Sequence, residues 1–192
     1  MKVVAFNCSP RKDGNTSHMI QDVLGVLNSH GIETEMVQVG GRDIHGCRAC
    51  GTCGKTKNMR CVMDDDIINS CVQKMIAADG IIIGSPTYFA DVNAETKALI
   101  DRAGYVIKMN GTPVRRKAGA AVVAARRAGA IHVFDTINHF FSISEMITVG
   151  SSYWNLSLAR LEGDYEKDEE GVRTMKVLGE NMAWLLKKIN EE

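Results

Sequence analysis

Two short apolar runs limit what this chain can fold into. Gly80-Ile81-Ile82-Ile83-Gly84 is a continuous β-branched stretch closed by glycines at both ends. A strand that is apolar at every position must be covered on both faces, as in the middle of a parallel sheet flanked by helices. Lys2–Asn7 is a second such run and ends in a turn-rich polar loop. Between the two the period changes. From Thr16 onward, Met19, Ile20, Val23, Leu24 and Leu27 recur at helical spacing, and Gly31 offers a stop. Ile32–Val39 alternates enough to be the second strand.

The remainder repeats this alternation. Gly40–Met63 has no apolar period. Asp64-Asp65-Asp66 puts negative charge where a helix dipole favours it, at the start of a helix predicted to bury Ile67, Ile68, Cys71, Val72, Met75 and Ile76. Ser85–Asn93 reads as a loop, and Ala94–Ala103 as a helix with Thr96, Leu99, Ile100 and Ala103 inward. Ala118–Ala125 is a fourth strand of small residues. Ile131, Phe134, Ile137 and Phe141 mark the next helix, and Met146–Val149 a fifth strand. Asp164–Gly171 is charged and reads as mobile. The last helix carries Met175, Leu178, Met182, Leu185, Leu186 and Ile189. Alternating strands and helices predict an α/β fold with a parallel sheet covered on both faces. Five strands suit a doubly wound, flavodoxin-like sheet of order 2-1-3-4-5. The 192 residues fit one domain, 1–192, with a Cys-rich loop at 40–63 and a candidate oligomerisation arm at 151–171.

Charge and composition narrow the function. Lys plus Arg and Asp plus Glu both number 23, so there is no basic surplus of the kind that broad nucleic-acid or anionic-membrane binding needs. No run of about 18 apolar residues exists to span a membrane, and Met1–Asn7 is too short for a signal peptide. The expectation is a cytoplasmic protein. Its six cysteines, Cys8, Cys47, Cys50, Cys53, Cys61 and Cys71, would then not pair as structural disulfides.

The loop after the first strand is Ser9-Pro10-Arg11-Lys12-Asp13-Gly14-Asn15-Thr16-Ser17. In a doubly wound sheet, ligands bind beyond the carboxyl ends of the strands, where strand order reverses. The loop offers Ser9, Asn15, Thr16 and Ser17 as short donors, Arg11 as a cation and Gly14 for close backbone approach. It also opens a helix, whose first N–H groups attract anions. A phosphate monoester would suit it. It lacks the Gly-Lys-Ser/Thr of a triphosphate loop and the G-x-G-x-x-G of a dinucleotide site. The alternative is that Asn15-Thr16-Ser17 merely caps the helix.

Ser9-Pro10-Arg11-x-x-Gly14-Asn15-Thr16-Ser17 resembles the FMN phosphate loop of NAD(P)H-dependent FMN reductases and their flavodoxin-like relatives. Gly84-Ser85-Pro86-Thr87-Tyr88-Phe89 resembles the second flavin loop of that family, and Ala125-Arg126-Arg127-Ala128-Gly129 the third. Lys97-Ala98-Leu99-Ile100-Asp101-Arg102 also matches. The resemblance implies an FMN site formed by Ser9, Arg11, Asn15, Thr16 and Ser17, by Pro86, Thr87, Tyr88 and Phe89, and by Ala125, Arg126, Arg127 and Gly129. Backbone N–H groups from Thr87 to Phe89 would reach the flavin edge. Arg126 or Arg127 near the pyrimidine side would favour an anionic reduced flavin. Packing at a sheet edge is the rival role for Tyr88 and Phe89, and a solvated surface pair the rival for the two arginines.

Cys47-x2-Cys50-x2-Cys53-x7-Cys61 is the second constellation. Two-residue gaps let successive thiolates converge, a more distant fourth closes the cage, and such soft ligands suit iron–sulfur clusters. Zinc also accepts four thiolates, usually from two separated Cys-x2-Cys knuckles, and free thiols are a third reading. Cys71, on an apolar helical stripe, and Cys8 read as core. The spacing resembles the compact motif of iron–sulfur flavoproteins, a branch of the FMN reductase group. That resemblance implies that Cys47, Cys50, Cys53 and Cys61 hold a [4Fe–4S] cluster, with NAD(P)H or ferredoxin as donor and a small molecule or protein as electron acceptor. It also implies a homodimer or homotetramer, in which Tyr153 and Trp154 reach a neighbouring flavin; ordinary core or interface packing is the rival role for these two aromatics. No side chain is nominated as an acid or base, since flavin electron transfer requires none.

Overall fold

The computed structural model describes residues 1–190. Five parallel strands form the core of the sheet: β1 (Lys2–Asn7), β2 (Glu33–Gln38), β3 (Gly80–Tyr88), β5 (Ala118–Ala125) and β6 (Ile147–Thr148), in the order β2-β1-β3-β5-β6. With the two-residue hairpin strand β4 (Asp91–Val92) set aside, this is the expected order 2-1-3-4-5. Helices α1 (Asn15–Ser29) and α6 (Glu169–Asn190) pack against each other on one face. The other face carries α3 (Ile68–Ala77), α4 (Ala94–Met109) and α5 (Ala130–Ile143).

The apolar runs behave as their composition requires. Ile81, Ile82 and Ile83 are completely buried, and every residue of β5 is buried. The small residues of β5 leave room for large neighbours: a methyl group at Gly119 would lie 2.8 Å from the Phe141 ring.

Several sequence expectations shift. β3 continues through Ser85–Tyr88 and turns back through Phe89 and Ala90, both left-handed (φ 48° and 64°), into β4, so the predicted loop is largely a hairpin. α4 runs six residues beyond the expected end at Ala103. α3 starts only at Ile68, because Asp66 accepts the Ile68 N–H at 2.9 Å and is otherwise paired with Arg102. In α5 the inward stripe is Ala130, Val133, Ile137, Phe140 and Phe141, leaving Ile131 exposed.

The fifth position in the sheet is filled in two pieces. β6 pairs with Ala118–Gly119, and β7 (Leu156–Leu158) pairs with Val123–Ala125. Local side-chain bonds close the bulge between them. Ser151 donates to the Asn155 side chain at 2.6 Å, and Asn155 donates to the Val149 carbonyl at 3.2 Å. Such short polar side chains compete with a continuing ladder. Asp164–Gly171 is not loose. Tyr165 is buried, and its hydroxyl donates to Asp22 of α1 at 2.6 Å. No described helix is long and apolar enough to cross a membrane.

Candidate functional site

The loops leaving β1, β3 and β5 meet around a cavity of about 340 Å³, a usual size for a small-molecule site. Ser9, Arg11, Gly14, Asn15 and Thr16 line it from the first loop, Pro86, Thr87 and Tyr88 from the second, and Arg126 from the third. α1 begins with extended Gly14 (φ −108°, ψ 177°) at its N-cap and no capping side chain. The capping role of Asn15-Thr16-Ser17 is therefore not realised. The Asn15 carboxamide is used instead to donate to Leu161 O at 2.9 Å and to accept the Tyr165 N–H at 3.3 Å. The first N–H groups of the helix and the positive end of its dipole adjoin the cavity, the arrangement that suits an anion.

The first loop is held in shape from behind. Asn7 Oδ1 accepts the Ser9 N–H, and Ser9 Oγ accepts the Arg11 N–H, both at 3.2 Å. Gln38 donates to Ser9 O at 2.7 Å and to Gly40 O at 2.8 Å. A Cβ at Gly40 would stand 2.2 Å from the Ser9 carbonyl, so only glycine lets the chain after β2 lie against this loop. Asn93 ties the first two loops together by donating to Cys8 O at 2.6 Å. Gly129 (φ 85°) brings the third loop against the hairpin, where an added Cβ would be 2.7 Å from Ala90 Cα.

Not every expected residue reaches the cavity wall. Ser17 is buried and accepts from Gln21, Ala125 is buried in β5, and Gly129 packs against Ala90. Phe89 is fully exposed at the hairpin tip and Arg127 is exposed. In their place, Ala159, Arg160 and Leu161 close the cavity, so three arginines (Arg11, Arg126 and Arg160) line it. Nothing in the sequence pattern singled out Arg160. It enters because β7 carries the following segment back across the strand ends.

Cys47, Cys50, Cys53 and Cys61 line a separate cavity of about 160 Å³, walled by Arg102, Tyr105, Val106, Val62 and Met63. Gly51 is left-handed (φ 71°) and starts the short helix α2 (Thr52–Thr56), which carries Cys53. Asn69 accepts the Cys61 N–H at 2.7 Å and donates to the Cys61 carbonyl at 2.9 Å. Asn110 donates to Cys53 O at 3.3 Å. The Ala49 N–H donates to Cys47 Sγ at 3.4 Å. Bonds from the Thr52 side chain and backbone lower the Cys50 pKa, whereas burial raises that of Cys53. The two remaining cysteines are core, as expected. Burial pushes the Cys8 and Cys71 thiols up to about 12, which leaves them inert. Among the described residues, no three thiol, imidazole or carboxylate groups close tightly enough to hold one metal ion.

A further concavity, about 840 Å³, is an apolar groove between α4 and α5. It shares no lining residue with the three-loop cavity and adjoins the cysteine site through Tyr105.

A family model for NADPH-dependent FMN reductases matches residues 1–160. The chain belongs to this family. An iron-sulfur flavoprotein of Methanocaldococcus jannaschii is 34% identical over 198 residues, covering 100% of both chains. An iron-sulfur flavoprotein of Methanosarcina thermophila is 31% identical over 199 residues, covering 100% of this chain and 98% of its own. The solved structure of a flavodoxin from the domain Archaea superimposes with a TM-score of 0.63 at 14% identity, covering 97% of this chain and 99% of that one, which supports the flavodoxin-like fold. As a member of the FMN reductase family the chain is an FMN-dependent oxidoreductase. The three loops around the first cavity and the four cysteines all fall within the matched span.

Proposed function

We propose that the chain is an iron–sulfur flavoprotein that carries electrons between a donor and an acceptor through FMN and a [4Fe–4S] cluster. The observation that carries this reading is the convergence of four cysteines on one small cavity, in a chain that also forms the anion-binding three-loop cavity. The donor set fits a cluster. Four soft thiols line one small cavity, whereas structural zinc usually draws its thiolates from two separated Cys-x2-Cys knuckles. Backbone and hydroxyl donors to sulfur, at Ala49 and Thr52, suit thiolates that carry charge.

FMN in the three-loop cavity would place its phosphate at the α1 N-terminus near Arg11, Ser9, Asn15 and Thr16. Its ring would lie along Pro86, Thr87 and Tyr88, with Arg126 opposite. Bound flavin accepts a hydride or single electrons, and so can serve a one-electron partner such as a cluster. The chain's own part is to orient the cofactor and to meet negative charge with the guanidinium groups of Arg11, Arg126 and Arg160. NAD(P)H or reduced ferredoxin would be the donor, and a small molecule or protein the acceptor, in the cytoplasm. The groove between α4 and α5, with Tyr105, Met109 and Ile143 exposed, is an apolar face for a second copy in a homodimer or homotetramer. The 151–171 segment would contribute Tyr153 and Trp154, which are half-exposed and stack edge-on with ring centroids 4.7 Å apart.

The test is an anaerobic preparation loaded with FMN, iron and sulfide. Iron with acid-labile sulfide at four of each per chain is the expected outcome for a [4Fe–4S] cluster. Zinc, or no metal, would refute the cluster. Failure to bind FMN would refute the flavin site. Rapid mixing with NADPH and, separately, with reduced ferredoxin identifies the donor, and light scattering reports the assembly.

A further inference from the structure

Arg102 is the largest completely buried side chain in the protein, and it sits on α4 directly behind the cysteine cavity. A guanidinium without solvent needs compensation, because its charge is always present. Three of its contacts are visible. Nη1 is ion-paired with the Asp66 carboxylate, whose side chain is itself 3% exposed. Nη1 also donates to His45 O at 3.4 Å, and Nη2 donates to Met63 O at 2.7 Å. His45 and Met63 are two residues before Cys47 and two residues after Cys61, so one side chain clamps both ends of the cysteine loop. Nε is buried with no protein partner, and the guanidinium stands next to the Cys61 side chain.

From this geometry we propose that Arg102 is the charge partner of the redox group held by the four cysteines, and that Asp66 limits the strength of its effect. The inference rests on the cluster reading given above. A cluster on four thiolates is negatively charged and gains one further negative charge on reduction. A fixed cation in the wall of its cavity favours the reduced form, and an anion behind that cation opposes it. Net charge and hydrogen bonds to sulfur are among the factors that set cluster potentials. Burial makes both terms larger than they would be in water.

The test is the midpoint potential of the cluster in the loaded protein, read from its visible and electron paramagnetic resonance signals in an anaerobic redox titration. Iron and sulfide content are measured on the same samples. Arg102→Met is expected to lower the reduced-to-oxidised ratio at a fixed applied potential by about tenfold, which is about 59 mV for a one-electron couple. Asp66→Asn is expected to move it the opposite way, and Arg102→Lys to stay closer to the parent. Should Arg102→Met not fold, Asp66→Asn and Arg102→Lys still decide the matter. A purely structural clamp would not give shifts of opposite sign. Unmoved potentials, shifts of one sign in both neutralising variants, or folded variants that take up no cluster would overturn this role while leaving the cluster reading intact. A parent protein that takes up no cluster would overturn both.

Discussion

The carboxamide of Asn69 satisfies both backbone groups of Cys61, accepting its N–H at 2.7 Å and donating to its carbonyl at 2.9 Å. The same amide nitrogen also reaches Asp64 Oδ1 at 2.9 Å, and Asn69 itself is 1% exposed. This buried amide thus fixes the most distant of the four cysteines relative to α3. Asn69→Ala leaves these partners without a mate. The expected cost is about 1–3 kcal/mol, measured from the urea midpoint at unchanged slope. Iron retained per chain after anaerobic reconstitution should fall in parallel. An unaltered midpoint would show that the loop is held by other means.

Gly40→Ala introduces a methyl group 2.2 Å from the Ser9 backbone. Backbone cannot swing aside as a flexible side chain can. A loss of about 3 kcal/mol or more is expected, at the upper end of overpacking costs. FMN affinity should weaken with it, because the displaced residues form the first loop. Calorimetric unfolding and flavin fluorescence quenching together check the two effects.

Arg11 offers the simplest test of where the phosphate goes. A charge-assisted hydrogen bond contributes about 1.5–3 kcal/mol. Arg11→Ala should therefore weaken FMN about tenfold to a hundredfold while leaving riboflavin, which lacks the phosphate, nearly unaffected. Equal losses for both flavins would place the phosphate elsewhere. The FMN affinity of the parent should also fall with added salt more steeply than its riboflavin affinity.

His18 links the first loop to the segment beyond β7. Its Nε2 is 2.9 Å from Asp13, and its Nδ1 meets Glu166. Asp13 does most to raise its pKa, burial opposes it, and Glu166 adds to Asp13, so the net direction is upward. A raised folded pKa means that the stabilisation is complete below the unfolded value near 6.5 and is lost as pH rises through the folded value. His18→Gln should thus lower the melting temperature at pH 5.5 and have little effect at pH 9. A gap that did not change with pH would dismiss the ion-pair origin.

Much of this was legible because parallel sheets write their own code. Ile81–Ile83 and the small-residue run Ala118–Ala125 could only be central strands, and the three loops that follow β1, β3 and β5 meet by topology alone. The cysteine spacing likewise pointed to the thiols that share one cavity. What escaped was tertiary in origin. Arg102 lies on a stripe of inward residues where a cation is not expected, and only Asp66 and the carbonyls of His45 and Met63 make its burial tolerable. Arg160 reaches the first cavity through a strand of three residues, too short to give a period. The fifth strand was expected whole because the bonds that divide it, from Ser151 and Asn155, are local and leave no mark on the apolar pattern.

Asn69 and Arg102 lie on α3 and α4, and Asn110 ends α4; from these helices they hold the loop that carries the cysteines. In the proposed cluster-bound form, this anchorage would separate the protein from small metal domains, in which binding free energy is folding free energy and chelation means collapse. Iron stripped from such a socket would cost the chain its conduction but not its shape. Damage by oxygen would then be a repairable event, with the same molecule recharged again and again instead of being degraded and replaced.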